Sequence, residues 1–178
     1  MIETERLILR NWREADIEPF VAHTNTEGVM RWLGGVKTPE QLVLVVRDRF
    51  IAWQESRGFT FWVVERREDG AFVGFCGLKI ADDIGSPVEG NVEVGWRFRQ
   101  DVWGQGYARE AAQASLDYAF GAVGAEQVVA LTVQGNTPSW GLMERLGMTR
   151  RPDLDYTGPE WAEGVVIAYL IRREEWRS

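Results

Sequence analysis

Apolar and polar positions alternate around Leu7 and Leu9 and predict a first strand over 6–12. A short helix is expected over 14–24, with Ala15-Asp16 near its start. Thr38-Pro39-Glu40-Gln41 is a helix start: Thr38 can cap, Pro39 suits the first helical position and Gln41 completes a capping box. From there Leu42, Val45, Val46, Arg49, Phe50 and Trp53 follow three-four spacing to about Ser56, with one charged interruption. Aromatic and β-branched residues over 59–65 and 71–81 read as strands. Arg66-Arg67-Glu68-Asp69-Gly70 joins them as a hairpin turn. The polar stretch 82–90 reads as a loop. A strand over 92–98 places Val92 and Val94 on one face and Glu93, Gly95 and Arg97 on the other.

After it, Trp103-Gly104-Gln105-Gly106-Tyr107-Ala108 opens a helix whose stripe is Ala108, Ala111, Ala112, Ser115, Leu116, Ala119 and Phe120. Gly121 and Gly124 end that helix. A buried strand over 127–134, a helix from Thr137 to Leu146 and further strands over 148–156 and 165–171 complete the chain. No repeat, linker or second domain interrupts the pattern, so residues 1–178 read as one domain.

Composition narrows the class. No apolar run approaches the roughly 18 residues of a membrane helix. Met1-Ile2-Glu3-Thr4-Glu5 lacks the features of a signal peptide. The single cysteine, Cys76, excludes an internal disulfide and a multi-cysteine zinc cluster, which suits a reducing cytoplasm. Nothing near Cys76 in sequence supplies the base a nucleophilic thiol needs, so it reads as core. His23 is the only histidine and makes no metal site by itself. The net charge of −7 argues against a nucleic-acid partner, because phosphate binding needs a basic face. It suits a basic acceptor, such as an amine or a basic protein N-terminus, and plain solubility equally.

The strand, glycine turn and helix over 92–119 form a candidate anion site. The glycines let the backbone approach a ligand, and the free N–H groups of the first helical turn favour phosphate or pyrophosphate. A dinucleotide site needs a third glycine and an acidic residue at the end of the next strand. Arg109 occupies the glycine position, and the strand over 127–134 ends without Asp or Glu. A nucleotide P-loop needs Lys-Ser/Thr where this chain has Tyr107-Ala108.

Trp103-Gly104-Gln105-Gly106-Tyr107-Ala108 resembles the pyrophosphate motif of the GNAT superfamily of N-acetyltransferases, Gln/Arg-x-x-Gly-x-Gly/Ala. Trp103 stands where Gln or Arg is usual, the form typical of the RimJ/RimL branch. Thr4-Glu5-Arg6-Leu7-Ile8-Leu9-Arg10 resembles that branch's opening strand. Asn136-Thr137-Pro138-Ser139 followed by Glu144-Arg145-Leu146-Gly147-Met148 resembles its Asn-x-x-Ser…Glu-Lys-x-Gly-Phe segment. The match runs in order along nearly the whole chain.

The resemblance implies an α/β (α+β) GNAT fold. This is a mixed, mostly antiparallel, twisted sheet of about seven strands flanked by about four helices, with a splayed strand pair at the coenzyme site. It also implies a second short helix or turn over 25–34. Its cosubstrate is acetyl-CoA, with no metal, and its acceptor is an amine; a monomer or homodimer is expected. Trp96, Arg97 and Phe98 would hold the pantetheine arm, with a backbone N–H among them facing the thioester oxygen. Trp103, Gly104, Gln105, Gly106, Tyr107, Ala108 and Arg109 would hold the pyrophosphate. Asn136 would bond the arm or shape the turn before Pro138.

Glu93, a carboxylate between two valines of a central strand, is the first candidate for general base. Burial would raise its pKa, and its alternative role is a structural carboxylate. Glu160, in the late loop that closes over the cleft in relatives, is the second. Many family members carry a Tyr seven residues after the motif Asn; Met143 stands there. Ser139 is the residue the branch offers near the sulfur instead. A non-catalytic acyl-CoA-binding or sensor protein on the same fold is the rival reading.

Overall fold

The computed structural model describes residues 1–159, 162 and 164–176; Glu160 lies outside them. Nine strands form one sheet among the described residues. They are β1 (Ile2–Glu3), β2 (Leu7–Arg10), β3 (Phe61–Arg66), β4 (Phe72–Ile80), β5 (Val92–Phe98), β6 (Gln127–Val133), β7 (Thr149–Arg150), β8 (Tyr156–Thr157) and β9 (Val165–Arg172). The order is β1-β2-β3-β4-β5-β6-β9-β7, with β8 also on β9. Every pairing is antiparallel except β5 with β6. The excess over seven strands comes from two-residue pieces. The stretch expected as one strand over 148–156 is broken, because a 3₁₀ turn at Pro152–Leu154 separates β7 from β8. Proline has no N–H for the ladder.

The helices are α1 (Ile17–Thr24), α2 (Glu27–Met30), α3 (Pro39–Leu44), α4 (Ala52–Arg57), α5 (Tyr107–Tyr118) and α6 (Thr137–Arg145). Thr38 and Gln41 make the expected capping box at α3. A π-helical segment, Val45–Ile51, joins α3 to α4, and Leu42, Val46 and Phe50 are the buried residues of this run. A repeat of four overshoots the 3.6-residue turn, and wider turns absorb the excess so that one stripe stays on the sheet. The α5 helix also ends in a π turn, Ala119–Val123, closed by left-handed Gly124 rather than by Gly121.

The two faces of the sheet bury different cores. On one, Leu7, Leu9, Trp62, Val64, Cys76, Leu78 and Val94 meet the small stripe of α5, where Ala111, Ala112, Ser115 and Ala119 are fully buried. Enlarging Ala112 to Leu would overpack this contact at a cost of roughly 1–3 kcal/mol. On the other face, Trp12, Phe20, Val46, Phe50, Val63 and Phe75 cluster beneath α1 and α3. Glu93 and Arg97 belong to this second face, as their parity in β5 requires.

Candidate active site

The β5–β6 pair holds together at Val92↔Val128 and Glu93↔Val129, and no further. Beyond Glu93 the two strands diverge, which is the expected splay. Meanwhile β5 stays paired with β4 along its whole length, from Ile80↔Val92 to Gly74↔Phe98 without a register shift. At its ends Asn91 O accepts from Ala81 N and Arg99 N donates to Val73 O. Odd-numbered residues of β5 therefore turn their backbone groups to β4, and even-numbered ones turn them to the fork. Trp96 and Phe98 present N–H groups there. Arg97 does not: its carbonyl lies 2.2 Å from where a Cβ on Gly74 would stand.

The glycine turn has the geometry of an anion cradle. Gly104 and Gly106 adopt φ of 77° and 83°, a left-handed backbone that L side chains rarely take. Gly106 is the N-cap of α5, and the first i→i−4 bond is Glu110 N to Gly106 O. The N–H groups of Tyr107, Ala108 and Arg109 thus have no acceptor within the helix. Tyr107 itself is buried in the core, and Arg109 is exposed. Trp103 is half exposed, and its Nε1 donates to Phe98 O at 3.0 Å, tying the loop to the end of β5. It consumes the Phe98 carbonyl and leaves that residue's N–H. Gln105 Nε2 donates to Asp101 O at 3.3 Å.

Arg6, just before β2, contacts the glycine turn from across the sheet, a contact the sequence pattern did not predict. Its Nη1 donates to Gln105 O at 2.9 Å, its Nε reaches Glu110 Oε2 at 2.7 Å, and its guanidinium lies 4.7 Å from the Tyr107 ring centre. It braces the loop from β2's side of the sheet. The signal was its charge beside the apolar run Leu7-Ile8-Leu9.

Glu93 stands at the apex of the fork, 9% exposed. Its register partner Lys79 places Nζ 3.2 Å from Oε2, an ion-pair distance without hydrogen-bond geometry. Lys79 also reaches Asp82 Oδ1 at 2.6 Å. Burial pushes the Glu93 carboxyl up to about 7, against the opposing pull of Lys79. This exceeds the ordinary carboxylate range because desolvation outweighs one cation already shared with Asp82. Arg97 is not its partner.

Asn136 Nδ2 donates to Thr132 Oγ1 at 3.1 Å, and its carbonyl accepts from Ser139 N at 3.1 Å, so it shapes the turn into α6. Ser139 is half-buried in the first turn of α6. Met143 is buried at 1% exposure. Cys76 is fully buried, 3.6 Å from Ser115 Oγ, and desolvation pushes its thiol up to about 12. It is no nucleophile at neutral pH. His23 is exposed. Among the described residues no group of three His, Cys, Asp or Glu could hold a metal, and no helix is long and apolar enough to cross a membrane.

A hollow of about 250 Å³ opens at the β6 end, lined by Arg31, Trp32, Val133, Gln134, Gly135, Ala162 and Val165. Trp32 rests on Gly135, where a Cβ would lie 2.6 Å from its ring. A larger hollow of about 490 Å³ lies on the outside, between α1 and α3, away from the fork and the glycine turn.

A family model, the acetyltransferase (GNAT) domain, matches residues 6–149. The chain belongs to the GNAT acetyltransferase family. The uncharacterized N-acetyltransferase YnaD of Bacillus subtilis is 29% identical over 179 residues, covering 98% of each chain. The crystal structure of a GNAT-family acetyltransferase from Bacillus anthracis superimposes with a TM-score of 0.79 at 27% identity, covering 98% of this chain and 99% of that one. The spermidine N-acetyltransferase of Vibrio cholerae, solved with CoA and spermine, shares the fold at 16% identity, with a TM-score of 0.74 over 98% of this chain and 100% of that one. The protein is thus an acetyltransferase on a mixed α/β GNAT fold, in a family whose donor is acetyl-CoA.

Proposed function

We propose that the protein is an N-acetyltransferase of the RimJ/RimL-type branch. It moves an acetyl group from acetyl-CoA to a primary amine, a protein N-terminus or a small molecule, by direct attack in a ternary complex. The observation that carries this reading is the coincidence of the fork with the buried carboxylate: the β5–β6 ladder ends at Glu93.

In the reaction the amine nitrogen bonds the acetyl carbon and the C–S bond breaks. One proton leaves the amine and one reaches the departing sulfur. Acetyl-CoA supplies the activated acyl group. The N–H groups of Tyr107, Ala108 and Arg109, with Gly104 and Gly106 keeping Cβ atoms away, hold its pyrophosphate. Trp103 and Gln105 fix the loop, and Asn136 fixes the turn into α6. The backbone N–H of Trp96 or Phe98 polarises the thioester oxygen from the fork. Glu93 accepts the amine proton, directly or through water; a carboxyl near 7 is poised for that at neutral pH. Ser139 relays a proton to the thiolate or hydrogen-bonds it.

Burial of Met143 in place of the family's Tyr favours a second reading, a non-catalytic acyl-CoA sensor. Turnover of acetyl-CoA against a panel of amines decides between them. Free coenzyme A released in step with an N-acetylated product supports the enzyme; tight binding without release supports the sensor.

A further inference from the structure

We propose that Arg97 is an anion subsite: its guanidinium receives a carboxylate carried by the amine that is acetylated. This rests on the acetyltransferase reading and narrows the acceptor to an amine with a free carboxylate.

The guanidinium is largely enclosed, and among the described residues no hydrogen bond or ion pair reaches it. Its Nε and Nη1 are enclosed and make no hydrogen bond, although the residue as a whole is part-exposed. Two rings face it: the Phe75 centre lies 5.2 Å from its central carbon and the Phe20 centre 5.5 Å. Burial alone acts on its acidity, pulling it down to about 10, with no carboxylate to oppose it.

The same protein shows how it buries an arginine for structure. Arg10 is 9% exposed; its Nη1 and Nη2 each donate to Asp16 at 2.7 Å, and Nη2 also pairs with Glu65. A structural cation here is neutralised by two carboxylates. Arg97 has none among the described residues. Aromatic faces offset only part of the cost of taking a guanidinium out of water, so the fork of donors is matched to a partner that arrives with the ligand.

Its placement fits an acceptor group. Arg97 and Glu93 share one face of β5, with only Gly95 between them on that face. Gly95 lies opposite Gly77, so the sheet carries no Cβ at either position. The Phe61 ring covers the gap, 2.9 Å from where a Gly95 Cβ would be. The backbone of Arg97 is committed to β4, which leaves its side chain as the group it offers a ligand.

The test uses the full-length chain and matched acceptors: amino acids, their carboxamides and their decarboxylated amines. With acetyl-CoA as donor, the acids should exceed their amides in kcat/KM by about 10²-fold or more, because a site built for a charged partner rejects the analogue lacking it. Arg97→Gln and Arg97→Met should collapse that acid-to-amide ratio toward one. Arg97→Lys should recover part of it, since it restores the charge without the planar fork.

A thermal shift with amino acids in the presence of coenzyme A gives a readout without turnover. It should respond to acids and lose that response in Arg97→Gln, while the shift caused by coenzyme A persists. Equal rates for acids and amides, or no Arg97-dependent shift with any acid, overturns the subsite. So does faster transfer from succinyl-CoA than from acetyl-CoA onto carboxylate-free amines, since that would place the anion on the acyl chain. Absence of acetyl-CoA binding and of all turnover would instead sink the acetyltransferase reading, and the acid titration still reports on Arg97.

Discussion

Lys79 and Glu93 face each other across the β4–β5 ladder, Nζ to Oε2 at 3.2 Å, at the point where β5 parts from β6. The lysine is shared: Asp82 holds it at 2.6 Å and is itself held by Arg49 at 2.7 Å. Asp83, which bonds Tyr156, adds negative potential to Glu93. The carboxyl is therefore set by burial and acidic neighbours, opposed by one cation. Replacing Lys79 with Met removes that cation. The acid limb of kcat/KM should move to higher pH, with little change in the affinity for acetyl-CoA. An unmoved limb would show that Glu93 does not govern it.

The same carboxyl predicts a stability effect. Its folded pKa, about 7, lies above its ordinary 4.5, so the folded state holds the proton more tightly. The stability this gives is fully present below about pH 4.5 and is lost as pH rises through about 7. Glu93→Gln stays neutral throughout and leaves Lys79 with Asp82. Its unfolding free energy should gain on the wild type between pH 5 and pH 8, by an amount approaching about 3 kcal/mol. A constant difference across that range would mean the carboxyl is not raised.

Gly106→Val should weaken acetyl-CoA binding while the protein still folds. The branched chain would stand at the N-terminus of α5, and its backbone at φ 83° is strained for any Cβ. Gly85→Val is the control, since Gly85 has φ 76° and open space around it, far from the turn in sequence. Both variants lose stability, and only the first should lose coenzyme affinity. Equal loss in both would point to strain alone.

Arg6→Ala should raise the Kd for acetyl-CoA several-fold, because the Gln105 carbonyl and Glu110 lose their brace. Arg6 is 44% exposed at its side chain, so the effect should fade as salt is added. Affinity that is unchanged at low salt would remove Arg6 from the site.

The helix starts, the hairpin at Asp69-Gly70 and the two faces of β5 were legible because each depends on local chemistry: a cap, a turn residue, a period of two. The glycine turn into α5 was legible for the same reason. What could not be read is long-range. Lys79 lies fourteen residues before Glu93 in the sequence, and only the ladder register joins them. Arg6 reaches Gln105 from the other end of the chain. Arg97 was expected to act through its backbone. The parity of the ladder, fixed by Arg99 to Val73 at one end and Ala81 to Asn91 at the other, turns its backbone groups to β4 instead of the fork. The two-residue strands β7 and β8 escaped because a proline turn divides what alternation alone would join.

The roles of Glu93 and Ser139 separate by pH. If Glu93 is the base, Glu93→Gln keeps coenzyme binding and lowers turnover by about 10²–10⁴-fold. The deficit shrinks at high pH, where the amine deprotonates unaided. Ser139→Ala should also spare binding, yet its deficit should persist at high pH, since protonating the thiolate becomes no easier there. Ser139 lies in the first turn of α6 and Glu93 at the fork, on different elements, so each substitution leaves the other group in place. Measured side by side, the two pH–rate profiles distinguish proton removal from thiolate protonation better than either rate alone. Full activity of Glu93→Gln at neutral pH would pass the base role to Glu160 or to water. Full activity of both would leave positioning and thioester polarisation as the protein's whole contribution, sufficient when the amine is already partly neutral.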